Sequence, residues 1–215
     1  MMDDMRSTIC PAVTASTPDE FRKQIERATA VAVRLHLDVS DGILTPSKLI
    51  EIGELWWPGN AQADIHVMYK WPFEHAALLL NLRPQLIIVH AEAEGDFIAF
   101  AQKAHSQGVE VGVAIQQDTP AEVLASAIQH IDHVLIFSGK LGYFGGEADL
   151  SLLNKVKQLR AMKPQLEIGW DGGVKPENVR QLAEGGIDVL NSGGFFQHSA
   201  DPHEAYESLT EALGT

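Results

Sequence analysis

The sequence predicts an α/β fold, a closed (β/α)8 barrel of the TIM type in a single domain, and three observations carry that prediction. Short β-branched runs alternate with longer stretches of helical spacing along the whole chain, the pattern of a parallel sheet wound from βα units. Eight such units fill the 215 residues with no Ser/Gly/Pro-rich linker between them, so residues 1–215 read as one domain. The glycine-rich segments come late, after strands six, seven and eight, whereas a doubly wound open sheet would place a G-x-G-x-x-G turn after strand one. The first run instead carries Pro11-Ala12-Val13-Thr14.

Taken in order, the expected strands are Thr8 to Thr14, Ala32 to Val39, Ala63 to Met68, Leu86 to His90, Glu110 to Ile115, His133 to Phe137, Glu167 to Trp170 and Asp188 to Asn191. Each is followed by a segment able to form a helix. Helix starts are marked by Thr17-Pro18-Asp19-Glu20, Thr119-Pro120-Ala121-Glu122 and Lys175-Pro176-Glu177, where proline suits the first turn and an acid complements the helix dipole. Trp56-Trp57-Pro58-Gly59 is expected at the N-terminal face of the barrel, in packing or in a contact between copies of the chain.

The net charge of -13 and pI near 5.0 argue against nucleic acid or an anionic membrane as partner, because such a surface repels polyanions. The densest basic cluster, Lys155, Lys157, Arg160 and Lys163, has the spacing of a solvated helix face. Cys10 is the only cysteine and reads as a small buried hydrophobe. Residues 1–6 lack the apolar run of a secretory leader, and the longest apolar runs are far too short to span a bilayer. A cytoplasmic location is expected.

The chemistry is concentrated on strands two, three and seven. Strand side chains alternate, so in Arg34-Leu35-His36-Leu37-Asp38-Val39 the residues Arg34, His36 and Asp38 point into the barrel while Leu35, Leu37 and Val39 face the helices. In Asp64-Ile65-His66-Val67-Met68 the residues Asp64, His66 and Met68 share the inner face. Asp171 ends strand seven at the barrel mouth. His36, Asp38, His66 and Asp171 therefore converge on the axis. Their mixed nitrogen and oxygen donors suit Zn²⁺, with Fe²⁺, Co²⁺ or Mn²⁺ as alternatives because no thiolate biases the choice. A metal-free ion-pair network is the other reading of the same four residues.

His36-Leu37-Asp38-Val39-Ser40-Asp41-Gly42, Asp64-Ile65-His66-Val67-Met68 and Asp171-Gly172-Gly173-Val174 resemble, in order and in type, the His-x-Asp-x-Met-Asp-Gly, Asp-x-His-x-Met and Asp-Gly-Gly-Val motifs of the ribulose-phosphate 3-epimerases. The resemblance runs over nearly the whole chain. It implies one divalent metal held by His36, Asp38, His66 and Asp171, with Asp38 and Asp171 doubling as an acid/base pair that moves a proton at C3 of a ketose phosphate through a cis-enediolate. Epimerisation removes a proton from one face of a carbon and returns one to the other, which needs two carboxylates. It further implies Met68 against the reacting carbons. The phosphate would lie on backbone amides of Gly142, Gly145 and Gly146, of Gly172 and Gly173, and of Gly193 and Gly194, where the absence of side chains lets N–H groups approach an anion.

The chain departs from the family pattern around the substrate. Ala12 stands where the family has a serine, Ser40 and Phe137 replace two of three methionines, Gly194 replaces a serine, and the loop ending in Glu147 is one residue longer. The expected activity is interconversion of D-ribulose 5-phosphate and D-xylulose 5-phosphate, a step of pentose-phosphate carbohydrate metabolism. The alternatives are another ketose phosphate, such as a hexulose 6-phosphate, or a non-catalytic sugar-phosphate binding barrel. A lysine-dependent decarboxylase or aldol-type barrel ranks lower, because His66 follows Asp64 where an Asp-x-Lys-x-x-Asp motif would place lysine. Self-association through Trp56 and Trp57 is left open.

Overall fold

The computed structural model describes residues 7–139, 141 and 146–214. Eight parallel strands close into a barrel: β1 (Thr8–Thr14), β2 (Arg34–Ser40), β3 (Gln62–Met68), β4 (Leu86–His90), β5 (Glu110–Ile115), β6 (His133–Phe137), β7 (Glu167–Asp171) and β8 (Val189–Ser192). Closure is made by β1 against β8, with Thr8 opposite Val189 and Cys10 opposite Asn191. The helices are α1 (Pro18–Thr29), α2 (Ala76–Asn81), α3 (Phe97–Ser106), α4 (Asn154–Met162), α5 (Val179–Glu184), α6 (Gly194–Gln197) and α7 (Pro202–Leu213). None of the helices among the described residues is long and apolar enough to cross a membrane.

Strand parity sorts the side chains. Leu35, Leu37 and Val39 of β2 and Ile65 and Val67 of β3 pack outward, where α1 brings Phe21, Ile25 and Ala28 at one-turn and near-two-turn spacing. Helix α1 begins where expected: Thr17 caps it by accepting a bond from Glu20 N, and Pro18 occupies the first turn. Inside the barrel Leu86, Ile88, Ala114 and Leu135 form a small apolar plug. Below it, Arg34 donates to Asp64 (2.7 Å) and, through two nitrogens, to Glu167 (both 2.8 Å), and His133 Nδ1 lies 2.8 Å from the same Glu167 carboxylate. Gly169 makes room for this layer, since a Cβ there would stand 2.5 Å from His133 Nε2.

Three expectations need correction. The segments after β2 and β5 wind as 3₁₀ turns, Ile52–Glu54, Ala121–Leu124 and Ile128–His130, and not as α-helices. Gly42, Pro46, Gly53 and Pro58 interrupt the first of these connections. In the second, a 3₁₀ rise of about 2 Å per residue carries a short segment back along the barrel in fewer residues than an α-helix would need. Helix α5 starts at Val179 and not at Pro176, because Asn178 accepts from Lys175 N and donates to Gly173 O, tying residues 175–178 into a turn.

The third correction concerns the basic cluster of α4, of which Lys157 is solvated. Lys155 is buried and donates to the carbonyls of Gln116, Gln117 and Thr119 at 2.7–2.8 Å. Arg160 pairs with Asp188 and Lys163 donates to Ile131 O. These three cations stitch the helix to loops at both ends of the barrel; their periodicity revealed the helix but not which carbonyls they reach.

Candidate active site

The C-terminal mouth of the barrel gathers His36, Asp38, His66 and Asp171. On β2, His36 and Asp38 are two residues apart and so point inward together, and His66 is the register partner of Asp38 across the β2–β3 pair. Asp171 arrives from β7, where it pairs in register with Phe137 and Asn191. His36 Nε2 lies 3.2 Å from Asp38 Oδ1, 3.3 Å from His66 Nδ1 and 3.7 Å from Asp171 Oδ2. His66 Nδ1 lies 2.8 Å from Asp38 Oδ1 and 3.9 Å from Asp171 Oδ2. One donor atom from each residue falls within 4.8 Å of all the others.

These separations fit a metal. Four donors at about 2.0–2.1 Å around a tetrahedral Zn²⁺ would be spaced by about 3.4 Å, and the five edges given above bracket that length. Two buried ring nitrogens 3.3 Å apart, with Asp38 Oδ1 beside both, bring nitrogen and oxygen donors to one point.

Electrostatics separate the two carboxylates. Burial pushes the Asp38 carboxyl up, but hydrogen bonds and charge from His36 and His66 outweigh it and hold Asp38 well below the usual carboxylate range. Burial and the neighbouring Asp38 charge raise Asp171. Burial also pushes the His90 ring down to about 4, against the opposing pull of Glu92, which keeps it neutral.

A cleft of about 530 Å³ opens above the centre. Asp38, Asp171, Met68, Phe137, Ser40 and Ala12 line its floor and walls, and Gly146, Gly172, Gly173, Gly193 and Gly194 line its rim. Gly172 and Gly173 have φ of +111° and +72°, and a Cβ on them would stand 2.4 Å from Gly139 N and 2.3 Å from Ala148 N, so only glycine lets these loops touch. Gly142 and Gly145 lie outside the described residues. Glu147 is exposed and is not among the described residues lining the cleft. The Ser40 hydroxyl donates to Ser47 O at 2.8 Å and so closes the β2 loop.

Two features escaped the sequence reading. Thr14 Oγ1 donates to Asp38 Oδ2, a contact that strand order alone suggests only once the β1–β2 register is known. Lys175 is the one Lys or Arg among the described residues lining the cleft; its place after Gly172-Gly173 was the available signal.

Fold and centre together define a closed parallel (β/α)8 barrel with a two-histidine, two-aspartate centre able to hold a metal at its C-terminal mouth. The profile of the "Ribulose-phosphate 3 epimerase family" matches residues 8–196, and the chain belongs to that family. Among curated relatives, it is 28% identical over 220 residues to the ribulose-phosphate 3-epimerase of Mycobacterium leprae (98% of this chain, 96% of the relative). It is 29% identical over 209 residues to that of Helicobacter pylori (94% and 95%). Solved barrels share the fold: a 3-hexulose-6-phosphate synthase superposes with a TM-score of 0.71 at 16% identity, covering 96% of this chain and 99% of the other.

Proposed function

We propose that this protein is a metal-dependent ketose-phosphate epimerase, an isomerase that interconverts D-ribulose 5-phosphate and D-xylulose 5-phosphate by two-carboxylate proton transfer at C3. The observation that carries this reading is the placement of Asp38 and Asp171, from strands three apart around the ring, on the floor of one cleft together with His36 and His66. Family membership and the names of the relatives support the activity. We read residues 1–215 as one domain and sugar phosphate as its small-molecule partner.

His36, Asp38, His66 and Asp171 would hold the metal, with zinc favoured and iron, cobalt or manganese as alternatives. A divalent ion held there would supply Lewis acidity toward the substrate's ketone oxygen. One aspartate takes the C3 proton on one face and the other returns a proton to the opposite face, so the protein ends each turnover with its protons exchanged between the pair. The opposed environments of Asp38 and Asp171 suit this division into base and acid. Met68 packs at the reacting carbons. Gly146, Gly172, Gly173, Gly193 and Gly194 offer backbone to the phosphate, with Lys175 as the nearby cation.

A second reading, a longer ketose phosphate such as a hexulose 6-phosphate, is favoured by one wall of the cleft. Ala12 and Gly194 stand where the resemblance puts hydroxyls, so this wall offers the substrate two fewer hydroxyl groups and less side-chain bulk.

Proton NMR in D₂O tests the proposal. Purified, zinc-supplemented protein is expected to deuterate C3 of D-ribulose 5-phosphate while D-xylulose 5-phosphate appears, and chelation is expected to stop both. Folded, zinc-loaded protein that exchanges only a hexulose 6-phosphate would select the second reading. Binding without exchange on any ketose phosphate would overturn epimerisation altogether.

A further inference from the structure

The centre is tied to a line of side chains that runs away from the cleft. His66 turns Nδ1 toward Asp38 and His36, and its other nitrogen, Nε2, lies 2.8 Å from His90 Nε2. The two rings have centroids 4.9 Å apart and planes 27° apart, so with this short contact they meet edge to edge, where an in-plane N–H and lone pair can align. His90 Nδ1 faces Glu92 Oε2 at 3.4 Å, an ion-pair separation, and both atoms are buried and without a hydrogen-bonding partner. Glu92 Oε1 accepts from the Thr119 hydroxyl, and Lys155 fixes that loop by donating to Thr119 O.

Without a metal, the 2.8 Å contact to Asp38 Oδ1 places a proton on His66 Nδ1; with Nδ1 given to a metal, the hydrogen-bond inventory permits one other ordering of protons. A ring nitrogen that offers its lone pair to a metal carries no proton, so His66 must hold its proton on Nε2. Two nitrogens 2.8 Å apart need one donor and one acceptor, so His90 Nε2 is bare and its proton sits on Nδ1. That proton points at a carboxylate, which only accepts. The reverse ordering would turn two lone pairs, on His90 Nδ1 and Glu92, toward each other in a buried site.

We infer that His90, by its contact with His66, and Glu92, by its carboxylate facing His90 Nδ1, are positioning residues that set the His66 tautomer in which Nδ1 is free to bind the metal. This rests on the metal-centre reading above. Neither side chain belongs to the proposed ligand set; they act on the metal through His66.

The test is zinc affinity by chelator competition in the intact protein, with the His66 ring followed by ¹H–¹⁵N NMR of the zinc-loaded form. His90→Phe keeps the ring volume but cannot accept, and Glu92→Leu removes the terminal acceptor from a partly exposed position without touching the barrel interior. Each is expected to weaken zinc binding by about 10- to 100-fold. Each is also expected to abolish the slowly exchanging His66 Nε2–H signal. His90→Gln, whose amide can accept from His66 and donate to Glu92, is expected to restore affinity to within a few-fold of wild type and to recover the signal. If His90→Phe fails to fold, Glu92→Leu decides. Zinc affinity equal to wild type in folded Glu92→Leu, with the His66 signal retained, would overturn the inference and leave the metal centre standing. Wild-type protein that binds no zinc would instead overturn the metal-centre reading, and this inference with it.

Discussion

Thr14 and Asp38 are register partners on neighbouring strands, and the Thr14 hydroxyl donates a 2.6 Å hydrogen bond to Asp38 Oδ2, leaving Oδ1 to the two histidines. One oxygen of Asp38 is thus pinned by β1 while the other faces the centre. Removing the hydroxyl by Thr14→Val takes away a bond to a charged group, a contribution of about 1.5–3 kcal/mol. The expected outcome is a loss in kcat/KM of about 10- to 100-fold with an unchanged circular dichroism spectrum. Turnover within twofold of wild type would show that the bond does nothing for the reaction.

The two aspartates are expected to be separately indispensable. Asp38→Asn and Asp171→Asn each keep the side-chain volume and remove a proton carrier, and each is expected to slow C3 exchange in D₂O by at least about 10²- to 10⁴-fold. Thermal melting reports whether the barrel persists. Near-normal turnover in either folded variant removes that residue from the acid/base pair.

Metal removal is expected to act on both activity and stability. Dialysis against a chelator should eliminate turnover, and zinc at 100 times its dissociation constant should add about 2.7 kcal/mol to unfolding stability if it binds only the folded chain. Urea denaturation with and without zinc measures this. Identical midpoints would mean that no metal is bound by the four converging side chains.

The floor of the barrel makes a prediction independent of the chemistry above it. Burial pushes Glu167 up, but hydrogen bonds from Arg34 and His133 outweigh it and hold its carboxyl below the ordinary value of 4.5. A carboxylate whose folded value is depressed adds stability that is fully present above its unfolded value and is lost as the pH falls through the folded one. Wild-type stability should therefore drop below about pH 4.5 more steeply than that of Glu167→Gln. Arg34→Met, which leaves Asp64 and Glu167 without their cation, should cost about 3–5 kcal/mol near neutral pH. Urea midpoints across that pH range decide both.

Much of the fold and the centre was legible because the relevant information is local. The strands Thr8–Thr14, Leu86–His90, Glu110–Ile115 and His133–Phe137 stand at the bounds that their β-branched runs and flanking turns set. Side-chain alternation is a property of the extended backbone itself, so His36, Asp38, His66 and Asp171 could be assigned to the inner face before any coordinates. Their chain order around a closed ring then implied convergence.

What needed the tertiary structure are the relations that local alternation leaves open. Register and tilt decide which inward residues share a level, and this alone sets Thr14 beside Asp38 and His66 beside His90. Ring orientation decides which nitrogen of His66 faces the centre. Lys155 reads as one more helix-face cation, yet its ammonium ends among three carbonyls of a loop nearly forty residues earlier, because the side chain is long enough to cross from α4 while its stem stays buried. Sequence spacing specifies directions along one element; distances between elements follow only from how the whole barrel closes.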